Sequence, residues 1–297
     1  MANTIMKNTM MVTGAGGPAG RAVAAFLRSR DIRVIGTDIQ NVGTHVDEFH
    51  IVPRGDDPQF GPALLHLLEE THPSLLVPTV SEELPAVSRI REMIQELGVR
   101  VFISRPDVVD LANDKLLTAT QLHKWGIPVP KTCSLSPGLE PRMVGRELGY
   151  PFIVKPRVGR GGRGVTLYQQ ESETREEQRT NVVCQEFMPG EECDLNLFVH
   201  PAGRVKTLVV LQKTLMKQGV VGNALNVQRV VRRDMAEIGL RVARGLSLEG
   251  PIDMDVRRDR NGVPSVLEIN ARVGANVLAA SEVLESLLMT AEEGVFA

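Results

Sequence analysis

Four groups of residues in the last two thirds of the chain have the types and spacings to do chemistry. Lys115 stands in ANDKLLTATQL, and Lys155 ends the apolar run FIVK just before a loop containing Gly159, Gly161, Gly162 and Gly164. A lysine beside small residues with free amides suits a polyphosphate, because several negative charges must be neutralised with little steric intrusion. In QEFMPGEECDLNLF an apolar run halts at Gln185-Glu186-Phe187-Met188 and resumes at Cys193. Such a hinge can offer backbone groups to the edge of a purine, an apolar side chain to its face and a carboxylate to sugar hydroxyls. Finally, IDMDVRRDRNGVPSVLEINARVG places Asp255 on one strand and Glu268 with Asn270 on the next, joined by the turn Asn261-Gly262. Residues two apart share a strand face, and a small set of hard oxygen ligands completed by phosphate and water suits magnesium.

Each of these residues also has a plainer reading. Lys115 can be an ordinary exposed helix lysine. Asp255 can pair with Arg257 or Arg258 across the surface, where such a contact contributes little. Glu192 can border a turn, and Glu268 can be a buried acid satisfied by Arg272. What favours a shared site is the order of the groups along one chain, which requires several independent coincidences otherwise. His123 and His200 lack partners at ligand or base spacing and are read as structural.

The elements that must position these residues follow from hydrophobic periodicity. The first third alternates short apolar runs with helical stretches: TMMVTGA, GRAVAAFLRSR, IRVIGTD, FGPALLHLLEETH, SLLVPTV, one helix through LPAVSRIREMIQELG, then VRVFIS. This alternation predicts crossover units on a parallel sheet over residues 1–108. A helix DVVDLANDKLLTATQLHKWG and the proline-rich IPVPKTCSLSPG mark a change of organisation. Beyond residue 150 the pattern becomes strand pairs separated by loops, with hairpin signals at Asn261-Gly262 and in GRGGRG, which predicts α+β packing. The charged QQESETREEQRTN reads as a solvated loop or short helix.

Gly14, Gly17 and Gly20 follow the first strand and open a helix, with Asp38 at the end of the next strand. That arrangement is a tight strand-to-helix turn or a dinucleotide loop. A reductase or epimerase would also need a Tyr with a Lys four residues on; Val154 and Ser172 occupy those positions after Tyr150 and Tyr168. In VPTVSEELP, Ser81 is expected to cap the following helix, with substrate contact by Ser81, Glu82 and Glu83 as the alternative. Gly222, Asn223 and Asn226 are candidates for an opposite wall.

Composition narrows the function classes. The formal charge of -2, from 36 acidic and 34 basic side chains, supplies no overall field towards nucleic acid or anionic lipid. With one Trp and two Tyr, stacking platforms for single strands or sugars are scarce. Cys133, Cys184 and Cys193 make neither a metal spacing nor an even disulfide set and are read as buried fillers of a cytoplasmic protein. No signal peptide or membrane span is evident.

From GAGGPAG to EINARVG, and most specifically in the ordered series DK, VKPR-GRGGRG, QEFMPGEE, IDMD and LEINAR, the chain resembles the ATP-grasp superfamily, in its carbamoyl-phosphate-synthase-like branch of stand-alone ligases. The resemblance implies a pre-ATP-grasp parallel-sheet domain (1–108), then an ATP-grasp fold of two lobes, a small lobe with the phosphate loop (109–187) and a large lobe with the magnesium site (188–297). It further implies that Lys115, Lys155, Gly161 and Gly162 hold the phosphates of ATP. Gln185, Glu186 and Met188 would then hold adenine, Glu192 the ribose, and Asp255, Glu268 and Asn270 magnesium, with Arg272 beside the transferred phosphoryl group. The implied reaction ligates a small carboxylate to an amine or thiol through an acyl phosphate, in a cytoplasmic enzyme compatible with a homodimer. A non-catalytic ATP sensor, or a regulatory subunit that lends its nucleotide-binding fold to a larger assembly, is the competing class, and a reductase or epimerase using NAD(P) near Asp38 a third. Against the family pattern, the segment from Tyr168 to Val182 is short, so the lid over ATP is expected to be trimmed or mobile, and the chain ends earlier than many relatives, which puts the closing elements of the substrate pocket in doubt.

Overall fold

The computed structural model describes residues 9–41, 43, 45–135, 140–159, 162–175, 180–218 and 221–293. Gly161, one of the expected phosphate-loop residues, lies outside them.

The crossover pattern of the first third folds as β1 (Thr9–Thr13), α1 (Pro18–Arg28), β2 (Arg33–Asp38), β3 (Glu48–Ile51), α2 (Phe60–Thr71), β4 (Leu75–Val77), α3 (Leu84–Arg89), α4 (Arg91–Glu96) and β5 (Arg100–Val101). The strands form a parallel sheet in the order β3-β2-β1-β4-β5. Strand β3, half-buried at an edge, has no sequence signal of its own. The single helix expected over LPAVSRIREMIQELG is two, because Ile90 leaves helical geometry at φ -100°, ψ 10°.

The second expected long helix is also divided, into α5 (Pro106–Asn113) and α6 (Lys115–Lys124). Asp114 between them is extended, and its side chain accepts the amides of Leu116 and Leu117, capping α6. That break makes Lys115 the first residue of a helix.

Strands β6 (Thr132–Ser134), β7 (Phe152–Pro156), β8 (Thr166–Tyr168) and β9 (Val182–Glu186) form an antiparallel sheet in the order β6-β9-β7-β8, backed by α7 (Pro141–Leu148). Between β8 and β9, a 3-10 turn at Glu171–Glu173 is part of the charged segment, of which residues 176–179 are not described. A larger antiparallel sheet, β12-β11-β10-β13-β14, is built from β10 (Glu192–Val199), β11 (Val205–Gln218), β12 (Val221–Arg229), β13 (Gly250–Arg258) and β14 (Pro264–Asn270), with α8 (Arg233–Gly245) and α9 (Glu282–Glu293) against it. Gly262, at φ 80°, takes the left-handed position of the β13–β14 turn, as the Asn-Gly signal predicts.

Apolar side chains divide these layers unequally. One core joins Met11 and Leu76 of the parallel sheet to Leu195 and Met254 of the large sheet, and a second joins Val12 and Val34 to Phe198 and Leu284. The small sheet keeps its own core of Val144, Phe152, Val154, Tyr168, Val182 and Cys184. It is therefore attached to the rest mainly through polar contacts and chain connections, while the parallel and large sheets are packed as one body. Among the described residues, no helix is long and apolar enough to cross a membrane.

Candidate functional site

Alternation along β10 and β13 places charged residues on one face of the large sheet. Cys193, Leu195 and Leu197, like Ile252, Met254 and Val256, enter the core, so Glu192, Asp194 and Asn196, like Asp253, Asp255 and Arg257, point to the other side. Register sets Asp194 beside Asp255, Asp255 beside Glu268, and Asp253 beside Asn270. Acids from three neighbouring strands thus meet on one surface. Carboxylate oxygens of Asp194, Asp253 and Asp255 all lie within 4.8 Å of one another.

Lys213 of β11 stands at the centre of this face. Its Nζ is 2.7 Å from Glu192 Oε1, 2.9 Å from Asp194 Oδ1 and 2.8 Å from Asp255 Oδ1. Burial works to discharge it, but Asp255, Asp194 and Glu192 outweigh burial and hold its pKa well above the ordinary lysine value. One ammonium cannot neutralise three carboxylates. Burial, opposed by Lys213 and helped by Asp194, therefore pushes Asp255 up to about 8, and burial with the Asp255 charge pushes Asp253 up to about 7. An all-oxygen donor set with surplus negative charge is what a hard divalent cation requires.

Facing this sheet across a cleft are Lys115, Lys155 and the β9 hinge. Lys115, expected as an exposed helix residue in its plainer reading, is buried: its Nζ donates to the carbonyl of Gly159 at 2.8 Å and lies 3.4 Å from Glu268 Oε2. Lys155 is 7% exposed, and among the described residues it makes no hydrogen bond or ion pair. Desolvation lowers its pKa to about 8, despite the attraction of Glu268. Burial alone would raise Glu268; the ammonium groups of Lys115, Lys155 and Lys213 reverse that and hold it at about 2. The cleft is thus prepared with cations on one side and an oxygen cluster on the other. Ile153, Val165, Met188 and Leu267 supply its apolar lining.

A second cavity adjoins the first and shares Gly162, Arg163, Lys213, Asp255 and Glu268 with it. Its far side is the first glycine loop (Gly14, Gly17, Pro18, Ala19) with Thr79 and Val80, at the carboxyl ends of β1 and β4. Open parallel sheets accept ligands at that edge. Within the loop, Asp38 Oδ2 accepts the amide of Gly16 at 2.9 Å, and a side chain at Gly20 would meet the Gly14 carbonyl at 2.2 Å. This favours the tight-turn reading of the glycines. Arg272 crosses the cavity: Nε donates to Ser81 Oγ at 3.0 Å and Nη2 to Asn270 Oδ1 at 3.2 Å, with Asp253 Oδ2 3.6 Å from Nη1. The expectation that Ser81 caps a helix is therefore corrected. Helix α3 begins after Glu83 with no side-chain cap, and the Ser81 hydroxyl serves Arg272 instead.

Of the residues singled out in the sequence, Lys115, Lys155, Gly162, Gln185, Glu186, Met188, Glu192, Asp255 and Glu268 line the first cleft. Asn270 and Arg272 line the second, beside Asp255 and Glu268. Gln185 is buried, its Nε2 donating to Thr132 Oγ1 at 2.9 Å. Glu192 is engaged by Lys213 and by Arg257 at 3.0 Å, so it is more than a turn residue. Asp255 pairs with Lys213 and Glu268 with Lys115, replacing the surface and Arg272 pairings of the plainer readings. Gly222 lines the cleft, whereas Asn226 is an exposed β12 residue whose carbonyl accepts Thr214 Oγ1. Asn223 lies on β12, and its side chain is outside the description.

Sequence reasoning missed Lys213, Asp194 and Asp253. The run CDLNLF did carry a signal for Asp194, since polar residues alternating with apolar ones in a strand mark a single polar face. Lys213 lies within β11, which continues five residues beyond it in irregular pairing with β12, and Met216 and Gly222 line the cleft.

Residues 112–276 match the family model described as ATP-grasp domain. Over 72% of its length the chain is 21% identical to the carbamoyl phosphate synthase large chain of Xylella fastidiosa, of which it spans 21%. Over 84 residues it is 31% identical to that of Mesorhizobium japonicum, spanning 7% of it. The chain thus matches about a fifth or less of these relatives' length. Among solved structures, L-amino acid ligase from Bacillus licheniformis superposes with a TM-score of 0.68 at 16% identity, covering 92% of this chain and 68% of that one. N5-carboxyaminoimidazole ribonucleotide synthetase from Thermotoga maritima gives 0.64 at 21% identity, covering 89% and 69%. These likenesses identify the fold: a parallel-sheet domain followed by two antiparallel lobes.

Proposed function

The chain belongs to the ATP-grasp domain family, and from that premise we propose that it binds ATP with magnesium between its two antiparallel sheets and ligates a carboxylate to an amine or thiol. The observation carrying this reading is that Lys155, Lys115, Asp255 and Glu268 line one cleft together with the hinge Gln185–Met188. In this reading the small lobe is 109–187, the large lobe 188–297 and the substrate-lending domain 1–108, in a cytoplasmic enzyme.

Lys115 and Lys155 neutralise the phosphate tail. Gly162 lets the phosphate loop approach it closely. Gln185, Glu186 and Met188 frame adenine, and Glu192 meets the ribose. Asp255, Glu268 and Asn270 would hold magnesium, which when bound neutralises and orients phosphate oxygens. The adjoining cavity takes the carboxylate, with Arg272 beside the phosphoryl group in transfer. A carboxylate oxygen attacks the terminal phosphorus, the bond to the bridging oxygen breaks and ADP leaves. The nucleophile then attacks the acyl carbon, expels phosphate and gives up its proton. Positioning and charge neutralisation carry most phosphoryl transfers, so no side-chain nucleophile is needed.

ADP release should require magnesium and be stimulated by a member of a panel of small carboxylates supplied with amines or thiols. Tight ATP binding with no turnover in any mixture would instead identify a nucleotide sensor.

A further inference from the structure

On the outer side of the small sheet, Cys133 of β6 and Cys184 of β9 are direct cross-strand partners. Residues opposite each other in an antiparallel pair project to the same face. The Leu135 amide donates to the Val182 carbonyl at 3.3 Å and the Glu186 amide to that of Lys131 at 2.9 Å. By alternation, Cys133–Cys184 is itself a hydrogen-bonded pair. Such pairs hold their Cα atoms about 5.5 Å apart, within the range a disulfide spans, but their Cβ atoms must close by up to about 1 Å. Cys133 is partly exposed, while Cys184 is buried in the core beneath α7.

We propose that Cys133 and Cys184 form a reversible disulfide that acts on the adenine end of the cleft, the second part resting on the nucleotide reading above. Cys133, the accessible sulfur, attacks a small-molecule disulfide such as oxidised glutathione, forming a mixed disulfide and expelling one thiolate. The Cys184 sulfur then attacks Cys133, expels the second thiol and closes the bridge; the two cysteines lose two electrons and two protons, and the reagent gains them. The hydrogen bond from Cys184 favours the Cys133 thiolate, against burial and the Glu147 charge. The adjacent cross-strand pair, Thr132 and Gln185, points the other way; Gln185 lines the cleft and donates to Thr132 Oγ1. Drawing β6 and β9 together therefore shifts the hinge. The third thiol, Cys193, is buried in the main core and pushed up to about 12 by desolvation, so it stays out of the exchange.

The full chain is incubated with oxidised glutathione, then assayed by intact mass, peptide mapping and ADP affinity. The expected result is loss of two thiols and two hydrogen masses, a Cys133–Cys184 linked peptide, ADP binding weakened at least about threefold, and complete reversal by dithiothreitol. Cys133→Ser, at the partly exposed position, should show none of these changes. A stable glutathione adduct on Cys133 without the linked peptide would overturn the bridge. A linked peptide with unchanged ADP affinity would overturn its effect on the cleft. Failure of the reduced chain to bind ADP would instead count against the nucleotide reading, and the peptide map would still decide the bridge.

Discussion

Lys155 offers a direct physical test of the cleft, because its ammonium is buried without a partner among the described residues. Its pKa falls from 10.5 to about 8 on folding. Between those values the unfolded chain binds more protons than the folded one, so this residue makes stability rise with pH across pH 8 to 10.5. At lower pH, carrying the charge costs the folded state about 3 kcal/mol. A bound polyphosphate supplies the missing counter-charge and should restore the proton. At about pH 9 the free site is roughly one-tenth protonated and the complex nearly fully so, which gives an uptake of about 0.9 proton. Metal-free ADP binding followed by calorimetry in buffers of different ionisation enthalpy measures this directly. Chelating divalent ions keeps the acid cluster free of metal, and Asp253 and Asp255 are largely ionised there. Lys155→Met should abolish most of the uptake. If wild type takes up no proton at that pH, or the variant takes up as many, Lys155 does not meet the phosphates.

Other outcomes follow from the same geometry. Glu268→Ala or Asn270→Ala should remove magnesium-dependent ADP release, by about a hundredfold or more, with the far-ultraviolet spectrum unchanged; retained turnover would refute the metal assignment. Lys213→Met leaves Glu192, Asp194 and Asp255 without their shared cation and should lower stability by about 3–5 kcal/mol in urea unfolding. An unchanged midpoint would show that the cation does not hold the cluster together. Ser81→Ala removes the acceptor of Arg272 Nε and should reduce kcat by about threefold to tenfold while leaving ADP affinity unaltered; a change in ADP affinity alone would contradict this placement. Magnesium binding at pH 7 should release protons, because Asp253 and Asp255 titrate near 7 and 8 in its absence; release should vanish near pH 10.

Local sequence made the cleft's framework legible wherever a residue's role follows from its immediate neighbours. The Asn261-Gly262 turn fixed the β13–β14 hairpin, and the two-residue spacing of Glu268 and Asn270 fixed their common face. Glycines beside Lys155 marked, for the same reason, a loop whose Gly159 and Gly162 line the cleft. Contacts that depend on register were less accessible: Asp194 meets Asp255 only because β10 pairs with β13, two elements separated by a hairpin and a helix. Ser81 was misread because its sequence neighbours resemble a helix start, whereas its partner Arg272 is 191 residues away. Helix breaks fall between these cases. Asp114 before Lys115 is a recognisable cap, but nothing local distinguishes Ile90 from its helical neighbours.

The cap at Asp114 has a mechanical consequence. Arg157, just past β7, grips this carboxylate through Nε at 2.6–2.8 Å, and its carbonyl accepts the Lys115 amide at 3.0 Å. Helix α6 also packs on β14, so one end of the four-stranded sheet is pinned to the larger antiparallel sheet. Any rocking that preserves these bonds must turn about that corner as a door turns on its post. Lys115, whose amide is one of those bonds, and Lys155, two residues before Arg157, both stand beside that post.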